Sequence, residues 1–330
     1  MKNPLELFRR LFVNEKKKTA RTSCKKQKPQ SLFLRHARKV IEEKKGEVSQ
    51  STIANYAVAL NSFSRFLNDK DVATADINCN TMQRYERWME DNGICRNTSS
   101  CYMRSIRTLY NCVTKKWHIA NKHPFENVFT GNAATAKRDI TINDIKRIEN
   151  LILDDDSKLK LTQDIFMFCF YAMGMPFVDA VHLKQAQVRD SHIIYYRQKT
   201  RQCITVKIEP CIRRIINRYE SKSRKFLFPI LPENDEGQNR KLYCKALATY
   251  NRNLDELSKA AGIDKHLTSY VARHTWASIA CKNDVDMNVI SRALGHTSIK
   301  TTQIYIGQTC DNAVAKACQK VIRIINKKTL

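Results

Sequence analysis

The chain has 330 residues, enough for two domains that each bury a core. Its 58 lysines and arginines against 32 aspartates and glutamates give a formal net charge of +26. A surplus of that size implies a polyanionic partner, with nucleic acid first and an anionic membrane surface second. No apolar run reaches the roughly 18 residues of a membrane span. There is also no signal-peptide core at the N-terminus, so no membrane-spanning helix is expected and a cytosolic protein is.

Residues 1–30 contain "RRLFVNEKKKTARTSCKKQKPQ", where bases crowd together with little apolar periodicity after Val13. The stretch reads both as a solvated tail and as an arm adding phosphate contacts, and the two are compatible. From 31 to 120 the pattern predicts a four-helix domain. Ile53, Tyr56, Leu60, Phe63 and Leu67 share one helix face, Thr81 opens a helix that stops at Gly93, and Asn97 caps the next. Arg84, Arg87, Arg104 and Arg107 are expected to stay outside the bundle.

Residues 121–138 carry Pro, Gly and small residues without a helical period and read as a linker. The second domain, 139–330, is predicted to be mainly α with one small antiparallel sheet. Thr141 opens "INDIKRIENLIL", and "LTQDIFMFCFYAMG" reads as a buried helix. "SHIIYYRQ" and "CITVKIEP" form a hairpin with Lys199, Thr200, Arg201 and Gln202 between them. After the last motif, Val314, Ala317, Val321, Ile324 and Ile325 form one amphipathic face. The twelve cysteines include no C-x-x-C pair and read as small buried hydrophobes, so no metal is implied.

The stretch "SYVARHTWASIACKNDVDMNVISRALGHTSIKTTQIYIG" carries Arg273, His296 and Tyr305 at intervals of 23 and 9 residues on predicted helices. Such a set can surround one phosphodiester with a guanidinium, an imidazole and a phenolic nucleophile. A tyrosine attacks phosphorus only if its proton is removed and fixed donors meet the charge developing on the phosphoryl oxygens. The planar fork of an arginine suits that task.

With "LGH" at Leu294–His296 and "TT..Y" at Thr301–Tyr305, the ordered set resembles the signature of the tyrosine recombinase (phage integrase) family. "SYVARHTWAS" and "GMPFVDAVHL" resemble the branch carried by mobile elements of anaerobic gut bacteria. The resemblance runs from about residue 31 through nearly the whole chain. It implies a SAM-like core-binding domain followed by a recombinase catalytic domain, the two clamping double-stranded DNA, and four protomers assembling on two sites. A host DNA-bending protein or an excision factor is a candidate further partner.

The same resemblance makes Tyr305 the nucleophile, His296 a donor to a non-bridging oxygen, Arg273 the phosphate clamp and Lys199 the proton donor to the leaving 5′ oxygen. No cofactor or metal is then required. It also implies that the C-terminal amphipathic segment docks on a neighbouring protomer, whereas its pattern alone equally allows packing on its own domain. An element integrase, an invertase or resolvase, and a DNA-binding protein that has lost cleavage remain the alternatives.

Two positions depart from the family pattern. Tyr270 stands where the family has a second histidine; a phenol can share a hydrogen bond there without becoming cationic. Around Gly174, with Met173 before it and Pro176 two after, no arginine matches the family's first catalytic arginine. Asp179 matches the acidic position that orients the arginines, and reads equally as a helix N-terminal charge. Arg197 is a candidate replacement. Residues two apart on a strand face one way, so Arg197 and Lys199 would share a face about 7 Å apart if the strand continues into the hairpin. A solvated arginine, or one gripping a neighbouring phosphate, is the other reading.

Overall fold

The computed structural model describes residues 32–306 except 136–137, 222–223 and 233–238, and not the side chains of 300 and 304–306. The expected basic arm and the amphipathic C-terminal segment lie outside the described residues. The chain divides into two units, Met1–Ala134 and Thr135–Leu330.

The first unit is built on helices α1 (Phe33–Glu43), α2 (Gln50–Phe66), α3 (Cys79–Asp91) and α4 (Arg96–Lys116). The α2 stripe read from the sequence contributes Leu60 and Phe63 to the core. Phe63 meets Phe33 edge-on at 5.8 Å and Tyr85 at 5.0 Å. The Tyr85 hydroxyl donates to Ser62 Oγ at 2.9 Å, so the buried phenol brings its own partner.

Two caps differ from expectation. The α3 helix starts one turn earlier than Thr81, with Asn78 Oδ1 accepting from Thr81 N at 3.0 Å. The α4 helix starts after Cys95, and Asn97 lies inside it. Asn97 is used in tertiary structure instead: its Nδ2 donates to Ala133 O at 3.0 Å and its Oδ1 accepts from Ala133 N at 2.7 Å. Ser100 Oγ also donates to Gly131 O at 2.5 Å. The first part of the stretch read as a linker is thus attached to this unit, with Phe125 in its core. Arg84, Arg87 and Arg107 are exposed, while half-buried Arg104 reaches the carbonyls of Thr130 and Gly131.

The second unit contains α5 (Ile142–Asn150), α6 (Lys158–Tyr171), α7 (Phe177–Val181), β1 (His192–Tyr196), β2 (Cys203–Lys207), α8 (Pro210–Tyr219) and α9 (Arg240–Ala260). It continues with α10 (Val271–Lys282), α11 (Met287–Ala293) and α12 (Ile299–Ile306). Thr141 opens α5 with a capping box, its hydroxyl accepting from Asp144 N while Asp144 accepts from Thr141 N.

Apolar α6 runs through the core, where Phe168 meets Phe228 edge-on at 5.1 Å. Phe177, at the start of α7, stacks on Tyr250 of α9 at 4.1 Å. Full burial of each such ring contributes about 1.5–3 kcal/mol, which fixes the short α7 and the glycine turn before it. Among the described cysteines none is paired; Cys169 is buried as expected, but Cys95, Cys203 and Cys244 are exposed and the others half-buried, so the set does not behave as buried hydrophobes. No described helix is long and apolar enough to cross a membrane.

The antiparallel hairpin pairs Ile193 with Val206 and Tyr195 with Ile204, and all four side chains are buried. Arg197 continues that inward alternation and is buried, its N–H bonding Gln202 O at 2.9 Å. Lys199 does not share its face. The chain turns immediately after Arg197, with Arg201 N bonding Arg197 O at 2.9 Å and Arg201 at φ +57°, so Lys199 sits exposed in the turn. The premise of a continuing strand fails, because the ladder ends before Lys199.

Candidate active site

Helix α10 positions Arg273, which is 3% exposed. Its Nη1 donates to Gly174 O at 2.8 Å, and its Nη2 to Leu294 O at 2.5 Å. Gly174 makes this approach possible: it has φ +69°, and a Cβ there would lie 3.1 Å from Arg273 Cα.

Arg273 Nη2 also lies 3.0 Å from His296 Nε2. An arginine can only donate, so Nε2 is the acceptor, and Nδ1–H then donates to Thr302 Oγ1 at 2.8 Å. The Thr302 bond ties α12 to the site. Tyr305 follows Thr302 by one helical turn; its side chain lies outside the described residues.

Arg197 arrives from the hairpin. Its Nη1 donates to Leu294 O, the carbonyl that Arg273 also uses. Its Nε lies 2.8 Å from Asp179 Oδ2, an ion pair with both side chains buried. The pair is poorly aligned as a hydrogen bond, leaving Asp179 Oδ2 and Arg197 Nε without a well-formed one. Asp179 spends its other oxygen on Gln198 N at 2.9 Å. Burial pushes its carboxyl above the usual carboxylate range, opposed by Gln198 N–H and the guanidiniums of Arg197 and Arg273. Arg197 Nη2 keeps no protein partner among the described residues.

Gly295 completes the packing. Its φ is +61°, and a Cβ there would lie 3.1 Å from Arg197 Cγ and 3.2 Å from Arg197 Nη1. The glycine of "LGH" is therefore needed both for its backbone conformation and for the arginine beside it.

The electrostatics report a site short of negative charge. His296 is pushed down to about 4, first by burial, then by Arg273, Arg197 and Lys199 in that order. Three cations thus act on one imidazole, with the carboxylate of Asp179 bound to one of them. An anion placed between the guanidiniums would relieve that repulsion.

Of the residues singled out from the sequence, Arg273, His296 and Arg197 are brought together and Lys199 stands near enough to act on His296. Tyr270 precedes α10, is 48% exposed and stays outside the hydrogen-bonded cluster. Asp179 is in the first turn of α7, pairs with Arg197 and accepts from the hairpin at Gln198 N. The Leu294 and Gly174 carbonyls escaped the sequence reading because a backbone acceptor carries no residue-type signal. Thr200 and Gln202 were missed as well: Thr200 Oγ1 donates to Gly295 O at 3.2 Å and Gln202 Nε2 to His296 O at 3.5 Å.

The Phage integrase family model matches residues 138–310, and the Phage integrase SAM-like domain matches 32–130. Tyrosine recombinase XerD of Rickettsia bellii (strain RML369-C) is 22% identical over 280 residues, covering 78% of this chain and 88% of the relative. Tyrosine recombinase XerD of Bradyrhizobium diazoefficiens is 25% identical over 281 residues, covering 77% and 85%.

Among solved structures, a lambda integrase dimer bound to a COC' core site superposes with TM-score 0.66 at 13% identity, covering 85% of this chain and 97% of that one. The Tn1549 transposon integrase in complex with transposon right end DNA does so with TM-score 0.61 at 13% identity, covering 87% and 99%. With the spaced Arg273, His296 and Tyr305 in a mainly helical unit carrying one hairpin, these matches establish that the chain belongs to the phage integrase family and is a DNA-breaking and rejoining tyrosine recombinase.

Proposed function

We propose that this chain is the integrase of a mobile element, acting on double-stranded DNA as a tetramer, and that Arg197 stands in for the missing arginine near Pro176. The observation that carries the reading is the sharing of Leu294 O by Arg197 and Arg273 beside His296, with Arg197 Nη2 uncommitted among the described residues. Two guanidiniums converging on one acceptor can grip both non-bridging oxygens of a phosphate.

In the proposed reaction the Tyr305 hydroxyl gives up its proton to water and its oxygen bonds to phosphorus as the bond from phosphorus to the 5′ oxygen breaks, leaving a 3′-phosphotyrosine. The guanidiniums of Arg273 and Arg197 stabilise charge growing on the phosphoryl oxygens. His296 is neutral in the free protein, and a tautomeric shift of its proton from Nδ1 to Nε2, with the Thr302 hydroxyl then donating to Nδ1, would let it donate to the same oxygens. Lys199, on the exposed turn, gives its proton to the departing 5′ oxygen. The phosphotyrosine conserves bond energy for attack by a second 5′ hydroxyl, so the chemistry is a transesterification.

Action on a mobile element is supported by the basic stretch before residue 31, which suits extra phosphate contacts, and by the fold shared with a transposon integrase. The lambda integrase was also solved as a tetramer bound to a Holliday junction, which supports a tetramer here. The surplus of +26 supports a DNA partner and a place beside the nucleoid in the cytosol.

The test is covalent capture on a nicked duplex selected from a randomised library. Tyr305→Phe should abolish capture and change affinity by less than about 2-fold, since phosphate contacts dominate binding. An adduct mass-mapped to another residue, or no capture of any duplex by the native chain, would overturn the reading.

A further inference from the structure

The hairpin that carries Lys199 is fastened to the "LGH" turn in register. Three consecutive carbonyls of that turn accept from three hairpin side chains: Leu294 O from Arg197, Gly295 O from Thr200, and His296 O from Gln202. On the other side of the tip, Gln198 N donates to Asp179 at 2.9 Å. Lys199 is therefore bracketed by Gln198 and Thr200, each tied to a different element, while its own side chain stays exposed.

We infer that Thr200 is a positioning residue that holds Lys199 at the leaving 5′ oxygen by anchoring the hairpin tip to Gly295 O. The inference rests on Lys199 being the proton donor. A four-carbon stem gives an ammonium many rotamers. The hydroxyl adjacent in sequence removes freedom from the backbone beneath it, and proton transfer requires the donor within hydrogen-bond reach of the oxygen. Arg197 is held differently, by Asp179 and Leu294 O, so losing the Thr200 bond should loosen Lys199 far more than Arg197.

The consequence can be read from the leaving group. When the 5′ oxygen departs it needs a proton; when sulfur replaces it, the group leaves as a thiolate and needs none. The full chain, with Thr200→Val, Thr200→Ser or Lys199→Ala, would be assayed in single turnover on the captured duplex. The scissile bridging atom would be oxygen in one substrate and sulfur in the other.

Thr200→Val should cleave the oxygen substrate about 10- to 100-fold more slowly, within the span of a general acid's contribution. It should cleave the sulfur substrate at nearly the native rate, and Thr200→Ser should restore the oxygen rate. The two rates are compared within each variant, so a reduced folded fraction cancels. Equal slowing on both substrates, or a native rate on oxygen, would overturn the inference. If Lys199→Ala is not rescued by sulfur, the proton-donor reading itself fails. If Lys199→Ala is rescued but Thr200→Val shows no such selectivity, only the role of Thr200 is lost.

Discussion

The arginines of the two units live in opposite environments. In the first unit Arg84, Arg87 and Arg107 face solvent on a helical bundle. In the second, Arg197 and Arg273 are 6% and 3% exposed and spend donors on backbone carbonyls. Exposed guanidiniums keep their hydration and rotamers, so they suit tolerant attraction to a phosphate backbone. Buried ones are immobilised before substrate arrives, and removing one buried partner of an ion pair costs about 3–5 kcal/mol. On the proposed reading, the same residue type serves affinity in one unit and transition-state geometry in the other.

The sharpest break of that contrast is Arg197→Ala. Cleavage should fall by about 100- to 1,000-fold, the loss expected for one preorganised donor, with much less change in duplex affinity. Covalent capture kinetics beside equilibrium binding would check it. Native cleavage rates would mean Arg197 is a structural partner of Asp179 and that another cation completes the site.

Gly295→Ala probes the same arginine without touching it. The left-handed backbone at φ +61° costs an alanine about 1–2 kcal/mol, and the new methyl lies 3.1 Å from Arg197 Cγ. We expect a lower Tm and a cleavage defect of about 10-fold from a displaced guanidinium. A cleavage rate equal to native in the folded variant would show that Arg197 need not stay where it is.

His296 reports the local field. Its ionisation is held down to about 4, below the ordinary histidine value of 6.5, so the imidazole is neutral at pH 7. The unfolded chain binds the extra proton first, so this group's contribution to stability is complete above 6.5 and declines as pH falls from 6.5 to about 4. An NMR titration should show that depressed midpoint in the free protein and a rise on binding duplex, as phosphate offsets the cations. An unperturbed midpoint in the free protein would contradict the buried, cation-rich setting.

The smallest effect belongs to the solvated side. Replacing Arg84 and Arg87 together by alanine should reduce the slope of log affinity against log salt by about 2, one for each phosphate no longer neutralised. The cleavage rate of the bound complex should stay unchanged. A slower chemical step in that variant would erase the distinction between the two kinds of arginine.

Much of this contrast is legible in the sequence, though unevenly. The hairpin, the Thr141 capping box and the buried α6 are readable because they depend on patterns a few residues long. Thr81 and Asn97 mislead as caps for a related reason: several cap-competent residues lie within one turn. Asn78 caps α3, while α4 begins after Cys95 with no side-chain cap, Asn97 being drawn to the backbone of Ala133. The alternation that puts Arg197 inward holds, and the extension of it to Lys199 fails where the ladder gives way to the turn.

By itself the sequence determined the order Arg273, His296, Tyr305 and the helices and hairpin that carry them. Residue identity, spacing and short-range periodicity are written along the chain. Only the tertiary structure decided that Arg197 meets Arg273 on one carbonyl, that Asp179 secures the hairpin, and that Thr200 reaches Gly295. Those bonds join residues 19 to 97 positions apart. Most also end on backbone oxygens, which every residue supplies alike, so no pattern of side chains could announce them.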